Sequence, residues 1–82
     1  MEEFRDRDKD YYRWNSQNPD GYILHQVNRK TYTLHHAGCP AVASISVSRA
    51  TTAPKFCGAE GELMSWARGK GAKVIRGCEQ CN

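Results

Sequence analysis

The feature that most constrains this 82-residue chain is a set of four soft metal ligands laid out as two close pairs. His35 and Cys39 are separated by three residues, Cys78 and Cys81 by two, and 38 residues lie between the pairs. Zinc takes four nitrogen and sulfur ligands in a tetrahedron, and structural sites are commonly assembled from two short-spaced pairs that the fold brings together. A Cys-x-x-Cys turn aims two thiolates at one point. The stretch Leu34-His35-His36-Ala37-Gly38-Cys39-Pro40 offers an imidazole and a third thiolate, with Gly38 and Pro40 beside the cysteine where the backbone must curl. The pattern predicts a structural zinc ion, Zn2+, held by His35, Cys39, Cys78 and Cys81. Two variants stay open: His36 can replace His35, and Cys57 can complete an all-cysteine set if neither histidine binds. Otherwise Cys57 reads as a buried apolar residue, because free cysteines are among the most enclosed side chains. An even cysteine count also permits two disulfides. Closely spaced Cys-x-x-Cys disulfides are mostly redox centres, however, and no thioredoxin-like strand and helix precede this one, so metal is the preferred reading.

A staple suits the size. At this length there is one domain, and its core alone contributes only a few kcal/mol of net stability. Hydrophobic residues make up 39% of the chain, so the ligand set carries much of the burden. A structural zinc makes folding conditional on metal. The chain has no apolar run of membrane-spanning length and no signal-peptide pattern. A reducing, cytoplasmic setting is therefore expected, where thiols bind metal more often than they pair.

Along the chain, residues 3–16 have Phe4, Tyr11 and Trp14 near one helical face, and the acidic segment 1–20 is expected to be a helix packed on the domain that follows. Asn18-Pro19-Asp20-Gly21 is a turn. Residues 22–27 and 31–34 read as strands joined by Asn28-Arg29-Lys30, an antiparallel hairpin that delivers His35 at its end. Residues 42–48 alternate, with Ile45 and Val47 inward, which predicts another strand. Residues 55–57 form a short apolar strand, and 58–69 form a helix whose Leu63, Trp66 and Ala67 share a face. Gly69 and Gly71 end that helix, and Val74-Ile75 is a final short strand. The fold class expected is α+β: a small zinc-stapled domain over 21–82, with a three- or four-stranded antiparallel sheet and one or two helices. Trp14 and Trp66 are expected in the core, and Tyr11 or Tyr12 at the surface. Asp20, Glu79 and His25 lack any spacing signature and read as surface residues.

Charge is uneven. Residues 1–10 hold five acids and three bases, leaving nine bases and four acids in 11–82. Arg68, Lys70, Lys73 and Arg76 crowd the segment after the second helix, and Arg29 and Lys30 sit on the hairpin turn. If these two groups share one side, they form a phosphate-binding stripe.

The hairpin ending in a ligand, the Cys-Pro turn, the helix, the glycine-rich connection and the final Cys-x-x-Cys together resemble the N-terminal metal-binding domain of the Ada DNA-repair family. They also resemble the small Ada-like zinc-finger domains of nucleic-acid-associated bacterial proteins. The resemblance covers Thr31 to Cys81. It implies tetrahedral zinc, with His35 rather than His36 at the first ligand position, and a DNA-facing surface. In Ada the corresponding ligand is a cysteine that accepts a methyl group. An imidazole has no thiolate to alkylate, so that reaction is not expected here, and no other catalytic signature is present. The leading functional expectation is a non-catalytic nucleic-acid-binding domain, for DNA more than RNA. The alternative is a zinc-stapled protein-protein interaction module, such as a phage or bacterial accessory protein, with a protein partner and an exposed aromatic patch near Tyr11, Tyr12 and Tyr22. A thiol-based sensor using Cys78 and Cys81 is a third reading.

Overall fold

The structure is a computed structural model, and it describes residues 1–37, 39 and 54–76. The elements run β1 (Glu2–Phe4), α1 (Asp8–Gln17), β2 (Tyr22–Asn28), β3 (Thr31–His36), β4 (Lys55–Gly58), α2 (Glu60–Gly69) and β5 (Lys73–Ile75). The strands form one five-stranded sheet in the order β1-β4-β2-β3-β5. The β1–β4, β4–β2 and β2–β3 pairs are antiparallel, while β3–β5 is parallel. The architecture is thus a small α+β domain with a mixed sheet, wider than the three- or four-stranded antiparallel sheet that the sequence predicts.

Two local causes account for the difference. Glu2-Glu3-Phe4 was expected to lead into a helix, but Phe4 is buried as a strand residue and the helix starts only at Asp8. Asp6 adopts a left-handed backbone (φ 55), which turns the chain between the two elements. Asp8 and Asp10 then occupy the first turn of α1, where the helix dipole favours negative charge. The second cause is α2. A helical crossover returns the chain to the same edge direction, so β5 must lie parallel to β3. The strand expected at 42–48 lies outside the described residues, as do Cys78 and Cys81.

Both faces of the sheet are covered. On one face Phe4, Tyr11, Ile23, Cys39 and Cys57 form a core beneath α1. On the other, Leu24, Tyr32, Leu34 and Phe56 pack against Leu63 and Ala67 of α2. This explains why Tyr22-Ile23-Leu24 is a continuous apolar run: a central strand with two buried faces need not alternate. Truncating a fully buried side chain such as Leu63 or Leu24 to alanine removes contacts worth about 2–5 kcal/mol. Both tryptophans are half-buried at the margins of these cores rather than central to them. Trp14 closes against Gly21, where an added Cβ would lie 2.5 Å from the indole Cη2.

The register sets residues in rows across the sheet. Cys57, Ile23 and His35 form one row on the α1 face, and Phe4, Lys55, His25, Thr33 and Ile75 form the next. Tyr22 and His36 fall on the α2 face.

Candidate metal centre and nucleic-acid interface

His35 is the fifth residue of β3 and shares the row of Ile23, so its ring enters the core beneath α1. The chain then turns sharply. The Ala37 N–H donates to the Gly21 carbonyl (2.9 Å), and the Cys39 N–H donates to the His36 carbonyl (3.1 Å). The turn folds Cys39 back under the strand it has just left. His35 and Cys39 are 6% and 4% exposed, and His35 Nδ1 lies 3.7 Å from Cys39 Sγ.

That separation fits a shared zinc ion. With Zn–N of about 2.0–2.1 Å and Zn–S of about 2.3 Å, two ligands on a tetrahedron lie about 3.6 Å apart. Burial, with the nearby charge of Lys55, holds the His35 imidazole below its usual pKa, which favours the neutral form that a metal requires. His36 is on the opposite face, exposed, with its ring against Tyr22 at 4.7 Å. The structure therefore brings His35, and not His36, to Cys39. Cys57 is fully enclosed, and burial, reinforced by Glu2, pushes its thiol up to about 12. It is a protonated core thiol, in line with the reading of Cys57 as a buried apolar residue. Among the described residues no three His, Cys, Asp or Glu side chains converge on a metal position. Cys78 and Cys81, the other two ligands that the sequence predicts, lie outside the described residues.

Two residues on this face were not legible in advance. His25 reads as a surface residue in the sequence but is half-buried. Its ring lies 6.4 Å from that of His35, and its Nδ1 has no hydrogen-bond partner among the described residues. Its pKa is lowered by burial first, then by Lys55 and His35. Lys55 is 5% exposed, although a lysine is ordinarily a surface residue. Burial lowers its pKa, while Asp8 and Cys57 favour the charged form. Strand alternation sets His25 on the face of Ile23 and Lys55 on the face of Cys57, but the enclosure of that face comes from α1.

The predicted bases divide. The Lys73 N–H donates to the Lys30 carbonyl at 2.6 Å, so the start of β5 is fastened to the β2–β3 turn. The C-terminus of α2 ends beside them, and Arg29, Lys30, Arg68, Lys70 and Lys73 are all exposed at this one end of the sheet. Among the described residues none of the five has a carboxylate within ion-pair distance. Lys70 instead lies over the Trp66 ring, with Nζ 4.6 Å from its centroid. Arg76 is not part of this group. It leaves the far end of β5 and pairs with Glu60 at 2.9 Å, at the other end of α2.

Among the described residues, Tyr11, Tyr12 and Tyr22 do not make the exposed aromatic patch that the sequence predicts. Tyr11 is fully enclosed, and burial raises its hydroxyl pKa. Tyr12 packs on Tyr11, and Tyr22 lies against His36. Among the described residues the exposed large apolar side chains, Met1, Val27 and Ile75, fall on three separate segments. Among the described residues no helix is long and apolar enough to cross a membrane.

Comparison with known proteins returns no family model, no curated protein and no solved structure that matches this chain. The resemblance to Ada-type domains rests on the ligand spacing of the sequence.

Proposed function

We propose that this chain is a non-catalytic nucleic-acid-binding domain, with DNA as its principal ligand, folded about a structural zinc ion held by His35, Cys39, Cys78 and Cys81. The observation that carries the reading is the gathering of Arg29, Lys30, Arg68, Lys70 and Lys73 at one end of the sheet without a carboxylate partner among the described residues. Bases in that state attract the phosphate backbone, and phosphate contact is the main source of affinity for nucleic acid.

The zinc half of the proposal draws on the 3.7 Å approach of His35 to Cys39 and on chain direction. Because β5 is parallel to β3 with Ile75 opposite Thr33, the chain leaves β5 heading toward the His35 end. Cys78 follows Ile75 by three residues, a reach of about 10 Å. The metal supplies a covalent-strength tie between the end of the hairpin and the end of the chain, and no chemical step is asked of it.

The test is fluorescence anisotropy with a labelled DNA oligomer over a salt series. Five phosphate contacts on duplex DNA give a log–log salt slope of about −4.5, or roughly a five-hundred-fold loss of affinity between about 50 and 200 mM salt. Lys30→Glu combined with Lys73→Glu should abolish binding without altering the fold, whereas Arg76→Glu should leave the salt slope unchanged. Absence of any binding at low salt would overturn the proposal.

A further inference from the structure

Trp66 stands out on α2 because, among the described residues, its ring meets two aromatic rings and a cation. Phe56 stacks against it with ring centroids 4.4 Å apart and planes 33° apart. Tyr32 meets it edge-on at 5.5 Å. An ammonium 4.6 Å from the same ring centroid cannot share the face that Phe56 occupies, so Lys70 covers the opposite one. Lys70 is itself exposed and lies just beyond the last residue of α2. Among the described residues, the indole thus has an aromatic backing from Phe56 and Tyr32 and a flexible cation, Lys70, over its other face. The same ring adjoins the basic end: Tyr32 follows Thr31, which is paired with Lys73, and Lys73 is hydrogen-bonded to Lys30.

We propose that Trp66 is a stacking platform for a base of single-stranded nucleic acid, with Lys70 as a displaceable cover that moves from the ring to a phosphate when the base arrives. This rests on the nucleic-acid reading above and adds the strand class to it. The physical case is exchange of like for like. A cation over an indole is held by the ring quadrupole and is easily lost from a solvated site. A nucleobase offers a larger flat surface to the same face, and stacking on an aromatic side chain tolerates any base. The released ammonium is then free beside Arg68, Lys73, Lys30 and Arg29, where the backbone of the same strand must run. A duplex cannot use the platform, because its bases are stacked on each other and present only their edges.

The experiment uses the full chain carrying Trp14→Phe, which leaves Trp66 as the sole indole, since the sequence has two tryptophans. It is titrated with an oligothymidylate of about twelve nucleotides and, separately, with a duplex of the same length, a size within the usual site range of such grooves. The expected result is strong quenching of indole emission by the single strand and little by the duplex. Trp66→Leu should weaken single-strand binding by roughly ten-fold while leaving duplex binding unchanged. Trp66→Phe keeps the packing on Phe56 and Tyr32, and serves if the leucine variant fails to fold; it should weaken single-strand binding by a smaller factor. Lys70→Ala should keep the quenching and reduce the salt slope by about one. Single-strand binding without quenching, or equal loss of single-strand and duplex binding in the Trp66 variants, would overturn the stacking role and leave the phosphate-binding end intact. Failure to bind either probe would overturn both.

Discussion

Cys57 shows what enclosure does to a single ionisable side chain. It has no exposed surface, lies in the sheet row between Glu2 and Ile23, and its thiol is pushed up to about 12 from a usual value of 9.0. Burial raises the pKa of an acid because the thiolate loses its water. The unfolded chain releases this proton from about pH 9, while the folded chain holds it to about pH 12. The unfolded state therefore binds fewer protons in that window, and stability falls as pH rises through it, by up to about 1.4 kcal/mol per pH unit. Below pH 9 Cys57 adds no pH dependence. Urea midpoints at a series of pH values from neutral upward should show this decline, and Cys57→Ala should flatten its first part. Tyr11, also enclosed, adds a decline of the same sign at higher pH. The same enclosure predicts that iodoacetamide leaves Cys57 unmodified in the native protein.

Among the elements, α2 has the best-defined end. Lys70 caps it, and Gly71 follows in the left-handed region with φ 67. The Gly71 N–H donates to the Arg68 carbonyl and the Ala72 N–H to the Ala67 carbonyl, both at 3.0 Å, which together make a Schellman motif. Gly71→Ala should lower stability by about 1 kcal/mol, since a side chain resists that backbone region. Gly69→Ala, inside the last turn with open space around its Cβ position, should raise it by up to about 1 kcal/mol. Thermal melts of the pair test the motif, because a generic loss of glycine flexibility would move both in one direction. This helix was legible in the sequence, as was the β2–β3 hairpin, because Leu63 and Ala67 repeat at helical spacing and a polar turn divides two branched and aromatic runs. The strand β1 was not. Three residues among charges carry no period of their own, and Glu2–Phe4 is a strand only because Lys55–Gly58, far along the chain, supplies its partner. The direction of β5 is set by the length of the α2 crossover rather than by Val74 and Ile75. At the candidate metal centre the pair His35 and Cys39 was legible from spacing. The burial of His25 and Lys55 beside it depends on which face α1 covers, and that is a tertiary choice.

For the whole molecule, the proposed zinc links the end of the hairpin to the end of the chain, so metal removal should act globally. Chelation is expected to release three thiols together, Cys39, Cys78 and Cys81, with loss of cooperative unfolding; Cys57 should react only as the sheet itself opens. One zinc per chain with that thiol count, from metal analysis and thiol titration, checks the ligand set. Three thiols reactive before chelation would count against it. The strand order β1-β4-β2-β3-β5 has a further consequence for how the chain is made. On a ribosome the first strand emerges long before the one that will hold it, and β4 must later slide between two segments already synthesised. Until Lys55–Gly58 has emerged, β1 and the outer edge of β2 lack their partner strand, and Leu24, Tyr32 and Leu34 lack the cover of Phe56, Leu63 and Ala67. A nascent chain stalled before Lys55 should be cleaved by protease at Glu2–Phe4 as readily as an unfolded peptide, because that strand has no partner yet. The growing protein therefore passes through an adhesive stage whose length is set by the interval between β3 and β4 rather than by the size of the finished domain.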